Sequence, residues 1–313
     1  MRLGLLSTAR INDSLLGGAS TSSEVDVVAV ASRDLARARA YADERGIAGA
    51  YGSYEELLAA DDVDAVYIGL PNALHVDWSI RALQAGKHVL VEKPLSSSVA
   101  EVERAFDAAS AAGRVLTEGF MWRHHPQTRR AHEIVASRAI GEVRLIRATF
   151  SFPEPGAGNV RWQSELEGGA LMDVGCYGIS AARLFGGGEP TDIAGFGIDR
   201  GGVDSRFAAV LRFGADGPLA TIDCGMDLPR RSGLEIVGSE GVLTVVDPWH
   251  AKVRRIELRR AGSEVVETFD AAEANSYQLE LDDLAAAVRE GREPLLGRDD
   301  AVGQARVLEA LLR

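Results

Sequence analysis

A doubly wound α/β domain followed by an α+β domain, whose sheet is large, open and mostly antiparallel, is the fold class this sequence predicts. Three observations carry the prediction. Up to residue 121 the chain alternates short β-branched runs with amphipathic segments, the pattern of a parallel sheet covered by helices on both faces. From Val143 to Phe269 strand-like segments dominate instead. The length of 313 residues exceeds one ordinary hydrophobic core and suits two. The boundary falls near residue 121, giving domains 1–121 and 122–313.

In the first domain, Met1-Arg2-Leu3-Gly4 leads directly into an apolar strand, and Val25–Ala31 is a second, β-branched one. Asp34 through Arg45 reads as an amphipathic helix ended by Gly46. Asp64–Leu70 is a buried-type strand, His75–Ala85 a helix ended by Gly86, and His88–Val91 another strand. Ser98 caps the next helix, with Glu101 three residues on completing a capping box.

The second domain reads as strands at Val143–Phe152, Arg206–Phe213, Leu219–Cys224, Leu234–Val237, Val242–Val246 and Val253–Leu258. Gly238-Ser239-Glu240-Gly241 is a hairpin turn between two of them. A helix near Ala170–Phe185 interrupts, and helices near Tyr277–Glu290 and Asp300–Leu312 close the chain. About three helices are too few to cover both faces of such a sheet. An uncovered apolar face predicts a homodimer or larger closed assembly, paired sheet to sheet.

Composition narrows the function. A formal net charge of −12 disfavours nucleic acid and anionic membranes as partners. No signal peptide is visible, and no apolar run approaches the roughly 20 residues that span a bilayer. The two cysteines, Cys176 and Cys224, form no C-x-x-C pair, so a reducing, cytoplasmic setting and no metal site are expected.

The first βα turn, Gly4-Leu5-Leu6-Ser7-Thr8-Ala9-Arg10-Ile11, has the small residues that let backbone N–H groups approach a pyrophosphate. Ser7 and Ala9 stand where glycines are usual, which weakens the fingerprint. At the end of the second strand an NAD-binding loop carries an acid for the ribose hydroxyls. Here Ser32-Arg33 stands instead, with Arg37 a turn later, which favours the 2′-phosphate of NADP over NAD. Asp34 adjoins and blurs the distinction, and both arginines could be plain solvated charges. Lys93, after the strand His88–Val91, lies where a doubly wound sheet meets its ligand, as a fixed positive charge or a surface lysine beside Pro94. Gly168-Gly169 open a helix on which Asp173 and Tyr177, four apart, share a face. They read either as a carboxylate and phenol aimed at one substrate or as a core tyrosine with a helix-N-terminal acid.

Together these residues resemble the Gfo/Idh/MocA family, which includes glucose–fructose oxidoreductase and inositol dehydrogenase. Val91-Glu92-Lys93-Pro94 is similar to the family's E-K-P signature, whose proline is typically cis. Leu70-Pro71-Asn72-Ala73-Leu74-His75 looks like its P-N-x-x-H turn over the cofactor, and Glu118–Pro126 like its domain-crossing segment. Asn159-Val160-Arg161-Trp162 and the Gly168–Tyr177 stretch look most like the dihydrodiol and D-xylose dehydrogenase branch. Many members have histidine where this chain has Tyr177, which disfavours an inositol dehydrogenase.

The resemblance implies a Rossmann-type NAD(P)-binding domain and a substrate-binding, oligomerising second domain. It implies cofactor contacts from Ser7, Thr8, Ala9, Arg10, Ile11, Ser32, Arg33, Arg37, Leu70, Pro71, Asn72, His75, Glu92, Lys93, Pro94, Arg161 and Trp162. Substrate contacts fall to Lys93, Phe120, Trp122, Arg123, Asp173 and Tyr177. Tyr177 passes the proton, Lys93 stabilises phenolate or alkoxide, and Asp173 orients a substrate hydroxyl or holds Lys93. The implied activity is hydride transfer between NADP and a carbinol or carbonyl carbon of a sugar or diol, of aldose dehydrogenase or keto/anhydro-sugar reductase type. A glycosidase that uses NAD for transient oxidation and a non-catalytic sugar or cofactor sensor are the rival readings.

Overall fold

The computed structural model describes residues 1–154, 156 and 158–313. The chain divides into two compact units: Met1–Met121 with Asn275–Val302, and Trp122–Ala274 with Gly303–Arg313.

The first unit runs β1 (Arg2–Leu6), α1 (Asn12–Ala19), β2 (Asp26–Ala31), α2 (Leu35–Arg45), β3 (Gly49–Tyr51), α3 (Tyr54–Leu58), β4 (Ala65–Ile68), α4 (His75–Gln84), β5 (His88–Glu92), α5 (Val99–Ala112) and β6 (Leu116–Gly119). The six strands are parallel in the order β3-β2-β1-β4-β5-β6. Strand order reverses between β1 and β4, and ligands of such sheets bind outside the strand carboxyl ends at that point. Local chemistry sets the helix ends. Asp34 caps α2 by accepting from Ala36 and Arg37 N–H, and Gly46 stops it in the left-handed region (φ 69°). Ser98 accepts from Glu101 N–H at the start of α5.

Sequence alone places all of 122–313 in the second domain, whereas Asn275–Val302 belongs to the first unit. The physical reason lies at Gly18 on α1. A Cβ there would stand 2.6 Å from Gln278 N and 2.7 Å from Tyr277 Cβ, so glycine lets the next helix lie directly against α1. That helix carries Leu281 and Leu284, which complete a core with Leu3, Leu5, Leu15, Tyr67 and Leu90.

The second unit comprises α6 (Pro126–Ala136), β7 (Val143–Pro153), a π-helical turn at Leu171–Gly175 continuing into α7 (Cys176–Gly186), β8 (Asp192–Asp199), β9 (Asp204–Arg212), β10 (Leu219–Gly225), β11 (Asp227–Gly238), β12 (Gly241–Val246), β13 (Arg255–Arg260) and β14 (Val266–Asp270). Helices α8 (Ser276–Glu290) and α9 (Arg298–Leu312) close the chain, α8 in the first unit and α9 divided at Val302. The sheet has eight strands in the order β14-β13-β12-β11-β7-β10-β9-β8. It is antiparallel except for the β7–β10 pair. Helix α7 packs on β7 and β10, and α6 on β12 and β13. The opposite face is open near the β8 edge. Register aligns Phe196 with Ala208 and Leu219 with Arg212 there, and Phe196, Ile198, Val210 and Leu219 are exposed. Among the described residues no helix is long and apolar enough to cross a membrane. Cys176 and Cys224 are buried thiols.

Candidate active site

In the first unit the strand carboxyl ends gather the loops that sequence assigned to a cofactor. Ser7 leaves β1 at φ 147°, a backbone region that favours glycine. Its hydroxyl donates to Gly69 O (3.0 Å) and accepts from Ala9 N–H (3.2 Å), and Asn12 Nδ2 donates to Ser7 O (2.8 Å). Ser7 thus keeps the glycine-like backbone path and ties the first loop to the end of β4. Thr8 to Ile11 make one tight turn into α1, with Asn12 N–H donating to Ala9 O and Asp13 N–H to Arg10 O.

Beyond β2, Ser32 is buried and Arg33 exposed. Asp34 is the acid that blurs the cofactor reading, and its carboxylate is engaged as the α2 cap. Arg37 donates from Nε to Thr8 Oγ1 at 2.8 Å, bringing the two loops together.

After β4, Leu70-Pro71 leads into a short turn at Asn72–Leu74. The fully buried His75 ring sits 2.8 Å from Pro94 O through Nδ1 and 2.8 Å from Leu70 O through Nε2. Donating to both carbonyls requires an imidazolium. Burial opposes that charge and holds the pKa down to about 4, so the ring is neutral near pH 7 and donates to one. His75 therefore links the turn after β4 to the Lys93–Pro94 segment, whose peptide bond is cis.

Glu92, at the end of β5, accepts the Tyr67 hydroxyl at 2.6 Å. Glu280 of α8 approaches from the same side. A Cβ on Gly119 would stand 3.7 Å from Glu280 Oε1 and 3.6 Å from Glu92 Cα. Burial first, then the charge of Glu92, push the Glu280 carboxyl well above its usual range, which favours the protonated acid. Glu118 accepts Leu95 N–H at 2.6 Å, and Phe120 is fully buried.

The second unit holds the other assigned residues. Gly169 turns at φ 115°, and a Cβ there would lie 2.2 Å from Asp204 Oδ1. Asp204, at the start of β9, accepts Leu171 N–H at 2.7 Å and so caps the π-turn that leads into α7. Irregular helical turns of this kind recur at functional sites. Asp173 lies within the turn and accepts from Arg161 Nε at 2.6 Å. Arg161, expected at the cofactor, is thus engaged by the carboxylate expected at the substrate. Trp162 donates to Glu154 O (3.0 Å), with Arg200 stacked over its ring at 5.4 Å.

Tyr177, in the first turn of α7, packs edge-on against Phe150 (5.3 Å) and Trp249 (5.7 Å). Trp122 is buried edge-on to Trp249 at 5.2 Å, and Arg123 donates to Ser180 Oγ on α7 at 3.2 Å. Sequence reasoning missed Glu280, Asp204, Trp249 and His250. Only Glu280 left a signal, an acid on the otherwise apolar helix face of Leu284 and Ala287.

Residues 7–120 match the oxidoreductase family with an NAD-binding Rossmann fold, Gfo/Idh/MocA, and residues 128–244 match the Gfo/Idh/MocA C-terminal domain. A D-xylose 1-dehydrogenase (NADP(+)) of Haloferax volcanii is 42% identical over 319 residues, covering 99% of this chain and 96% of that protein. A trans-1,2-dihydrobenzene-1,2-diol dehydrogenase of Xenopus laevis is 35% identical over 250 residues, covering 77% of this chain and 74% of its own. The crystal structure of KijD10, a 3-ketoreductase from Actinomadura kijaniata in complex with NADP and TDP-benzene, superimposes with a TM-score of 0.91 at 33% identity, covering 100% of this chain and 97% of that one.

Proposed function

The chain belongs to the Gfo/Idh/MocA oxidoreductase family, and we propose that it is an NADP(H)-dependent enzyme that oxidises a carbinol, or reduces a carbonyl, of a sugar or related diol. The observation that carries this reading is that Lys93, just past the carboxyl end of a Rossmann strand, and Tyr177, in the first turn of the helix that follows the Asp204-capped π-turn, both stand in a chain 42% identical to a D-xylose 1-dehydrogenase (NADP(+)).

The first unit's loops fit a dinucleotide. Ser7 keeps the glycine-like backbone path, and α1 begins where a pyrophosphate is held in such sheets. With Asp34 occupied as a helix cap, the exposed Arg33, and Arg37 beside Thr8, are the groups left to meet a 2′-phosphate, which supports NADP. When bound, NADP(H) supplies the hydride acceptor or donor. The protein's part is the proton. Tyr177 takes the proton from the substrate hydroxyl during oxidation and returns it during reduction. A free phenol titrates near ~10, too high for an efficient base at neutral pH, so the Lys93 ammonium is needed to stabilise phenolate or alkoxide. Asp173, anchored by Arg161, accepts a hydrogen bond from a second substrate hydroxyl and orients the ring. The aromatic side chains behind Tyr177 exclude water from that proton. The same reading places the enzyme in the cytoplasm and assigns self-association to the exposed apolar sheet face around Phe196.

Tyr177→Phe and Lys93→Ala test it. Tyr177→Phe should bind NADP normally, turn over roughly 10²-fold slower, and lose one ionisation from its pH profile. Lys93→Ala should be at least as slow, and the double variant little worse than either, because both act on one proton. Near-normal turnover by Tyr177→Phe would make the tyrosine a packing residue and defeat the mechanism.

A further inference from the structure

The turn joining β12 to β13 is over-determined. Asp247 (φ 49°) and Ala251 (φ 51°) both lie in the left-handed region, which asparagine and aspartate tolerate and alanine does not favour. Side-chain and backbone bonds hold it there. Asp247 accepts Ser232 Oγ–H (3.0 Å) and Lys252 N–H (2.9 Å) through its carboxylate, and Ala251 N–H (2.9 Å) through its carbonyl. Trp249, fully buried, donates from Nε1 to Thr149 O of β7 at 2.9 Å.

The result is a fixed place for His250. Its ring packs edge-on to Phe150 at 5.6 Å, and Phe150 packs edge-on to Tyr177 at 5.3 Å. His250 therefore stands on the same side of the sheet as Tyr177, one ring removed. Its side chain is 39% exposed, and the nearest carboxylate, Asp247, is 3.8 Å from Nδ1, beyond hydrogen-bond reach. Neither ring nitrogen has a hydrogen-bond partner among the described residues. An ordinary surface histidine is mobile; this one is held by a strained turn with donor and acceptor both unspent. Asp247, Lys252 and Arg230 are the charged groups that face it, and burial of the ring face holds its pKa below the usual value, which keeps the neutral donor–acceptor form.

We propose that His250 is a specificity-determining residue, hydrogen-bonding a substrate hydroxyl remote from the reacting carbon, so that the site prefers a polyhydroxylated sugar ring to a simple diol. The inference rests on the reading that Tyr177 faces substrate. A hydrogen-bonding site penalises a substrate that lacks the matching hydroxyl, because its own polar group is then left unpaired.

The test compares the wild type, His250→Ala and His250→Gln with D-xylose and with a trans-dihydrodiol. One neutral hydrogen bond corresponds to a fall of about five- to tenfold in kcat/KM. His250→Ala should show that fall on xylose through KM, with kcat within about twofold, and should leave the dihydrodiol and the Kd for NADP, read by fluorescence, unchanged. His250→Gln, which keeps a donor and an acceptor, should recover most of the loss. Equal loss on both substrates would show that the ring merely supports the aromatic shelf, and no loss on xylose would also overturn the proposal. So would a wild type that oxidises the dihydrodiol but not xylose. The functional reading fails separately, through a fully active Tyr177→Phe.

Discussion

Replacing Asp204 with asparagine should make the second unit more stable at neutral pH, not less. The carboxylate caps the turn that carries Asp173 and leads into the helix of Tyr177, so its loss looks harmful at first sight. Burial nevertheless outweighs the backbone donors of Leu171, Asp204 and Ala170, and the charge of Asp199 adds to it. The pKa rises from 3.8 to about 6. A group whose folded pKa lies above its unfolded value contributes stability that is complete below the unfolded pKa and is lost as pH rises through the folded one. A shift of two units, at about 1.4 kcal/mol each, means that about 3 kcal/mol disappears between pH 4 and pH 7. Asparagine keeps an oxygen for Leu171 N–H and has no charge to bury. Near pH 4 the two proteins should have equal stability, and by pH 7.5 Asp204→Asn should be ahead by up to about 3 kcal/mol, or roughly 6–12 °C in Tm. Asp204→Ala should lose about 1–3 kcal/mol relative to asparagine at every pH, because Leu171 N–H then has no acceptor. Denaturant unfolding followed across this range, with a signal from the buried Trp122 and Trp249, reads the difference. Parallel stability–pH curves for the wild type and Asp204→Asn would refute the reasoning.

Two further outcomes follow from named side chains. Arg33→Ala should weaken NADP binding by about tenfold or more and leave NAD binding nearly unchanged, since a charge-assisted bond contributes roughly 1.5–3 kcal/mol and only NADP carries the 2′-phosphate; equal loss in titrations with both cofactors would remove Arg33 from that role. Phe196, 87% exposed on the open sheet face, should be covered in a dimer, so the wild type should scatter light as a dimer or larger at micromolar concentration and Phe196→Glu as a smaller species; a monomeric wild type would refute this.

Much of the fold was legible because it is written in local chemistry. The Ser98 cap, the Gly46 stop and the Gly238–Gly241 hairpin act over a few residues, and the structure has each. Strand β8 was not legible. Two glycines dilute the strand pattern of its Asp-Ile-Ala-Gly-Phe-Gly-Ile-Asp sequence, but Gly195 and Gly197 are needed where the Phe207 ring lies 2.6–2.7 Å from their missing Cβ positions. The return of α8 to the first unit was hidden for a related reason. Helical periodicity says that a face is apolar, not which partner covers it, and the deciding feature was a glycine more than 250 residues earlier, Gly18. The aromatic row of Phe150, Tyr177 and Trp249 joins three distant segments, and no spacing rule links them.

The weakened glycine fingerprint shows how a motif and its physics can part. A glycine in the first βα turn serves two ends: it permits the backbone to turn, and it leaves room for the ligand's approach. Ser7 keeps the first, at φ 147°, a conformation that costs a non-glycine residue of the order of 1–3 kcal/mol. That cost persists only if the surroundings over-determine it. Here the Ser7 hydroxyl bonds Gly69 O and Ala9 N–H while Asn12 holds the Ser7 carbonyl, three bonds that a glycine could not make in full. They fasten the loop after β1 to the loop after β4, across the point where strand order reverses. A pattern that counts glycines scores this as a loss. The backbone geometry is nonetheless retained, and the serine adds a tether between the two loops that flank the crevice.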